Sequence, residues 1–97
     1  LYAPTAILSR AALEFALQEA VTSKKTVLPS KKGEYLFNLI KWCSKIGILD
    51  PEIEENSHKI RVTGNRAVHE TACTEKEALE AISKTRDVLV FLYGTKM

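Results

Sequence analysis

Residues 50–70 read DPEIEENSHKIRVTGNRAVHE, and this stretch carries both a helix start and a polar ridge. Asp50 can cap the free N–H groups of a first turn, and Pro51 presets that turn. Glu52, Glu54 and Glu55 suit the positive end of the helix dipole. Ile53, Ser57, Ile60, Gly64, Ala67, Val68 and Thr71 then recur at helical spacing and form an inner face. Gly64 in mid-helix costs about 1 kcal/mol against alanine. Close approach of another helix or of a ligand would offset that cost.

At about 100° per residue, Arg61, Asn65 and His69 step about 40° apart and line one ridge beside the inner face. Arg66 and Glu70 lie farther round, toward solvent. A guanidinium, an amide and an imidazole on one ridge can hold a phosphate and move a proton. Arg61 would stabilise anionic charge, Asn65 would orient it, and His69 would act as acid or base. The same ridge can serve the fold alone. Arg61 would then pair with Glu14 or another acid, Asn65 would cap a neighbouring helix end, and His69 would hydrogen-bond at a helix interface.

Three more helices extend outward from this one. Pro4 to Val21 predicts the first, with Pro4 in its opening turn and Ile7, Leu8, Ala11, Ala12, Phe15 and Ala16 as an apolar face. Arg10 and Glu14, four apart, can pair beside that face. Thr22 to Lys32 holds Lys24, Lys25, Pro29, Ser30, Lys31 and Lys32 and reads as a loop. Gly33 to Ile46 predicts the second helix, with Leu36, Leu39, Ile40, Cys43 and Ile46 buried and Gly47 as its stop. Phe37 and Trp42 fall off that stripe and mark either a wider core or a partner surface, with the partner surface favoured.

Thr74 to Glu77 matches a capping box and opens the last helix. Ala78, Ala81, Ile82, Thr85, Leu89 and Leu92 form its stripe, which ends near Gly94, while Val88, Val90 and Phe91 widen the apolar surface. The expectation is a single all-α domain over residues 1–97, a compact four-helix bundle.

Composition fits that plan. The chain has 97 residues, 45% hydrophobic and 27% charged, with 14 Lys+Arg against 12 Asp+Glu. A net charge of +2 leaves no global field for coating nucleic acid. No run reaches the roughly 18–20 apolar residues of a membrane span. The charge is uneven, however: Thr22 to Gly47 carries six Lys against one Glu, and Ile48 to His58 carries four acids. Cys43 and Cys73 share no CxxC spacing. Each fits as a small buried hydrophobe, and a disulfide between them stays open. No metal-ligand set, phosphate-binding glycine loop or nucleophile motif is present, so no cofactor or metal is expected. The first residue is Leu1 and no signal peptide is visible, which together suggest a domain excised from a longer cytoplasmic protein.

Arg61-x-x-Gly64-Asn65-x-x-x-His69 resembles the bacterial branch of the HEPN superfamily (higher eukaryotes and prokaryotes nucleotide-binding), in particular the uncharacterised domain family numbered 4145. Arg10-Ala-Ala-Leu13-Glu14 resembles the Arg-x-x-Leu-Glu of that family's first helix, and Leu36 to Leu49 its leucine-rich second helix. The resemblance covers nearly the whole chain. It implies a four-helix domain that accompanies restriction, helicase and other anti-phage defence proteins. Ribonuclease members of the superfamily carry Arg, then a polar residue, then His after four to six positions. They cut RNA without metal across a homodimer. Here Asn65 and His69 match, but Gly64 stands where the arginine would be.

The leading expectation is therefore a non-catalytic HEPN-like module that forms a homodimer and binds RNA, nucleotide or a partner protein. Arg61, Gly64, Asn65, Arg66 and His69 would form the binding region. Its partners would include other domains of a parent protein, such as a helicase, ATPase or nuclease, and no membrane. The alternative is a metal-independent endoribonuclease. His69 would then be the acid or base, and Arg61 or Arg66 would stabilise the phosphorane.

Overall fold

The computed structural model describes residues 2–70 and 72–94. Its four helices are α1 (Ala3–Ser23), α2 (Tyr35–Lys45), α3 (Pro51–Glu70) and α4 (Glu75–Tyr93), an all-α four-helix bundle. The sequence signals account for most helix ends. Pro4 sits in the first turn of α1. Asp50 Oδ1 accepts from the Ile53 N–H at 2.8 Å and starts α3. Thr74 accepts from the Glu77 N–H at 3.1 Å, and Glu77 accepts from the Thr74 N–H at 2.9 Å, which closes the capping box of α4. Gly47 at φ 84° and Gly94 at φ 78° take the positive φ that glycine allows, just past α2 and α4. Helix α2 starts two residues later than Gly33, with Glu34 at its N-cap.

Helix α1 packs on all three others, α3 also touches α2 and α4, and α2 and α4 do not meet among the described residues. The result is a slab of 38 × 37 × 19 Å, about two helix diameters thick. Its main core joins Leu13, Leu17 and Val21 of α1 to Leu36, Leu39, Ile40 and Cys43 of α2, with Leu49, Ile53, Ile60 and Val88. A second, smaller cluster of Ala3, Ala6 and Ala67 lets the first half of α1 lie close against the second half of α3. Both cysteines are free thiols, and burial pushes that of Cys43 up to about 12.

The predicted stripe of α3 is buried at Ile53, Ser57, Ile60, Gly64 and Ala67. Val68 is exposed, and Thr71 lies outside the described residues. In α4, Ala78, Ala81 and Thr85 are buried as expected. Val88 replaces Ile82 on the inner face.

Helix α1 departs most from its expected face. Ala16 is buried, but Ile7, Leu8, Ala11, Ala12 and Phe15 face outward. The inner side is formed by Ala3, Ala6, Ser9, Leu13, Ala16, Leu17 and Val21. The physical reason is that α1 carries large apolar residues on two opposite sides, so periodicity alone cannot choose its buried side.

Candidate functional site

The residues of the ridge part company in three dimensions. Gly64 is where α1 crosses α3. A Cβ placed there would lie 2.7 Å from Arg10 Cβ, 2.9 Å from Arg10 Cδ and 3.1 Å from the Ala6 carbonyl oxygen. The glycine thus serves a close approach between helices, one of the two roles expected of it. That contact brings Arg10 beside Asn65, whose Oδ1 accepts from Arg10 Nε at 2.7 Å.

The other end of the Asn65 amide donates to Glu34 Oε1 at 2.9 Å, and Arg61 Nη1 donates to the same oxygen at 2.6 Å. Arg61 Nε donates to His58 Nδ1 at 3.2 Å. The Arg61 guanidinium lies 5.1 Å from the Phe37 ring centre, and the His58 ring packs 5.3 Å from that ring. Glu14 sits 3.8 Å from Arg10, the pairing expected inside α1. Glu54 lies 3.8 Å from His58. One polar chain therefore ties α1, α3 and the start of α2 together.

Glu34 is the residue that sequence reasoning missed. It sits 27 positions from Arg61, at the end of a lysine-rich loop where no local pattern marks it. The Arg61 hydrogen bond holds its carboxyl below the usual glutamate range; burial pushes the other way, and the Asn65 hydrogen bond adds to the lowering. Burial chiefly, and then the Arg61 charge, keep His58 below the ordinary histidine value, which suits an imidazole that accepts from Arg61.

Both shifts have the same sign for stability. A glutamate depressed in the folded state stabilises above its unfolded value and loses that contribution as pH falls through its folded value. His58, also depressed, begins to oppose folding below about 6.5. Thermal melts from pH 7 to pH 3 should show a falling Tm. The gap between wild type and Glu34→Gln should close below about pH 4. A gap that is constant across that range contradicts the assignment.

The other two candidate residues stand apart. Arg66 pairs with Glu77, so its guanidinium braces the capping box of α4. The Thr74 backbone N–H, and then Arg66, hold the Glu77 carboxyl below its usual range. His69 is exposed in the last turn of α3, outside the Glu34 network. The structure thus brings Arg61, Gly64 and Asn65 to one place, but not Arg66 or His69.

A second feature lies on α2. Lys31 Nζ is 5.4 Å from the Tyr35 ring centre, Lys41 Nζ 6.0 Å from Phe37, and Lys45 Nζ 5.9 Å from Trp42. Each ammonium lies over its ring, and Phe37 is also covered by Arg61 and His58. Asn38, Lys41, Trp42, Ser44 and Lys45 line a shallow recess of about 510 Å³, with Pro29 and Glu54 at its sides. Trp42 Nε1 and Ser44 Oγ are buried without a hydrogen-bond partner among the described residues. Such groups are costly to leave unmatched. Because Arg61 and Asn65 engage Glu34, the one acid of residues 22–47, the six lysines of that stretch dominate its field. No helix among the described residues is long and apolar enough to cross a membrane.

The family model described as "Domain of unknown function (DUF4145)" matches residues 1–96 of this chain. No curated protein and no solved structure matches it.

Proposed function

The chain belongs to the DUF4145 family of domains of unknown function, and from that membership we propose a non-catalytic, HEPN-like module that pairs with a second copy and binds RNA or a nucleotide. Its setting is a bacterial defence system, where it works beside other domains of a parent protein such as a helicase, ATPase or nuclease. The observation that carries the binding part is the α2 face. Lys41, Trp42 and Lys45 line the recess there, with the Lys45 ammonium over the Trp42 ring. Stacked bases and nearby phosphates need that combination of ring faces and cations, and it tolerates any sequence. The recess falls in the size range of small-ligand sites.

The motif on α3 supports the non-catalytic part. A phosphorane needs an arginine that is available to its charge, beside an acid or base. Arg61 instead faces Glu34 and His58, Arg66 faces Glu77, and His69 lies elsewhere on the helix. On this reading the Arg61–Asn65 part of the motif is architecture.

Fluorescence anisotropy with a labelled single-stranded RNA tests the proposal, and a labelled mononucleotide forms a second arm. Wild type should bind the RNA with an affinity that falls as salt rises. Lys41→Glu/Lys45→Glu should weaken binding at least tenfold and flatten the salt slope by about two contacts. His69→Ala should leave binding unchanged, and no RNA should be cut in EDTA. Binding lost in His69→Ala but kept in the lysine variant contradicts this reading. Cleavage that disappears in His69→Ala supports the endoribonuclease instead.

A further inference from the structure

The outward side of α1 is unexplained by the fold. Leu8 is 68% exposed and Phe15 64%, on a helix whose opposite side already fills the core. Large apolar side chains on the side of a helix turned away from the core are normally covered too. Leu8 and Ala12 line a shallow groove with Ile82 and Val90 of α4, which are also exposed. Monomeric domains seldom leave so continuous an apolar patch in water.

We infer that this α1–α4 face is where two copies of the chain meet, with the two α1 helices antiparallel across a two-fold axis near Ala11 and Ala12. The inference rests on the reading of the domain as a paired module and names the surface that does the pairing. Three observations select a second copy over another occupant. The first is shape: along one side of α1 the residues run Leu8, Ala11, Ala12, Phe15, large–small–small–large. This order is symmetric about its centre. A two-fold axis there sets Leu8 of each copy against Phe15 of the other, and lets the alanines meet where the backbones approach. Reciprocal contact of this kind is what an isologous interface requires.

The second observation is area. Helices of 21 and 19 residues side by side present a face of roughly 30 by 20 Å. A standard interface takes about 800 Å² from each partner, so the face is of the right order. The third is charge. Among the described residues Arg86 is the one charged residue lining the groove, and Asp87 Oδ1 stands 3.6 Å from its guanidinium. An RNA-binding surface needs uncompensated cations, and this chain carries those on α2. The two faces are separate because α2 and α4 do not touch among the described residues.

Sedimentation velocity of the isolated domain, without RNA, tests the inference. Wild type should shift from monomer to dimer with a midpoint on the order of 10 µM, within the range that interfaces of this size span. Phe15→Glu and Leu8→Glu should each stay monomeric to at least tenfold higher concentration, with unchanged circular dichroism and Tm, because both positions are already solvated. In a Cys73→Ser background, Ala12→Cys should cross-link to a covalent dimer on oxidation, and Thr22→Cys should not. A wild type that remains monomeric to 200 µM overturns the inference. So does a dimer that survives both glutamate variants. Anisotropy on Phe15→Glu separates the two readings. RNA binding retained by a monomeric variant supports both. RNA binding absent in a wild type that still dimerises contradicts the binding proposal and leaves the interface standing.

Discussion

Gly64→Val should cost the domain about 3 kcal/mol and lower its Tm by roughly 15 °C, as a chain of this size loses 4–8 °C per kcal/mol. The added carbon would fall inside van der Waals contact with Arg10 Cβ and Cδ and close to the Ala6 carbonyl. Neither Arg10 Cβ nor a carbonyl oxygen can swing aside, so α1 must move off α3 as a unit. That movement opens the Ala3, Ala6 and Ala67 cluster and stretches the Arg10–Asn65 hydrogen bond. Gly64→Ala should be milder, because alanine recovers about 1 kcal/mol of helix propensity while meeting the same obstruction. Thermal melts followed by circular dichroism decide the matter. A Gly64→Val variant as stable as wild type would show that the close approach is absent.

Arg61→Ala is expected to be the second most damaging change, at about 2 kcal/mol. It removes the donor that Glu34 and His58 share and uncovers the Phe37 ring. Glu34 is itself 42% exposed at its side chain, so the ion pair alone contributes no more than about 1 kcal/mol, and lost packing supplies the rest. A double-mutant cycle with Glu34→Ala isolates the pair: the two losses should overlap by about that amount. Additive losses would mean that Arg61 stabilises the fold without Glu34, and an unchanged Tm would mean that it was held in reserve for a ligand. The stability loss together with intact RNA binding is the result that an architectural role requires.

Helix count and helix ends were legible because their signals are local. Asp50-Pro51 and Thr74–Glu77 each place a polar acceptor against free N–H groups within four residues, and no distant contact competes with them. The inner face of α3 was legible too, since its outer face is charged and only one side can be buried. Helix α1 offered no such contrast, and its outward Leu8 and Phe15 could not be told from its inward Leu13 and Leu17 by periodicity.

The ridge was correct as helical geometry and incomplete as a site. Spacing put Arg61 beside Asn65, but the acid that binds them comes from the N-cap of another helix. An acid placed by a loop leaves no trace in helical periodicity. The expectation that Arg61 pairs with an acid was right in kind, with Glu34 in place of Glu14. Likewise Phe37 and Trp42 were visible as residues off the stripe, and their lysine neighbours as a charge excess. Only the folded chain sets them side by side.

The claim at the centre of this account is that the α3 motif builds the domain while the α2 face meets the ligand. Titrating ¹⁵N-labelled domain with a short uridylate single strand, read by amide and indole chemical shifts, tests it most directly. The Trp42 indole N–H and the amides of Asn38, Lys41 and Lys45 should move, while Asn65 and His69 stay in place. Shifts centred on Arg61, Asn65 and His69, with the Trp42 indole unmoved, would contradict it.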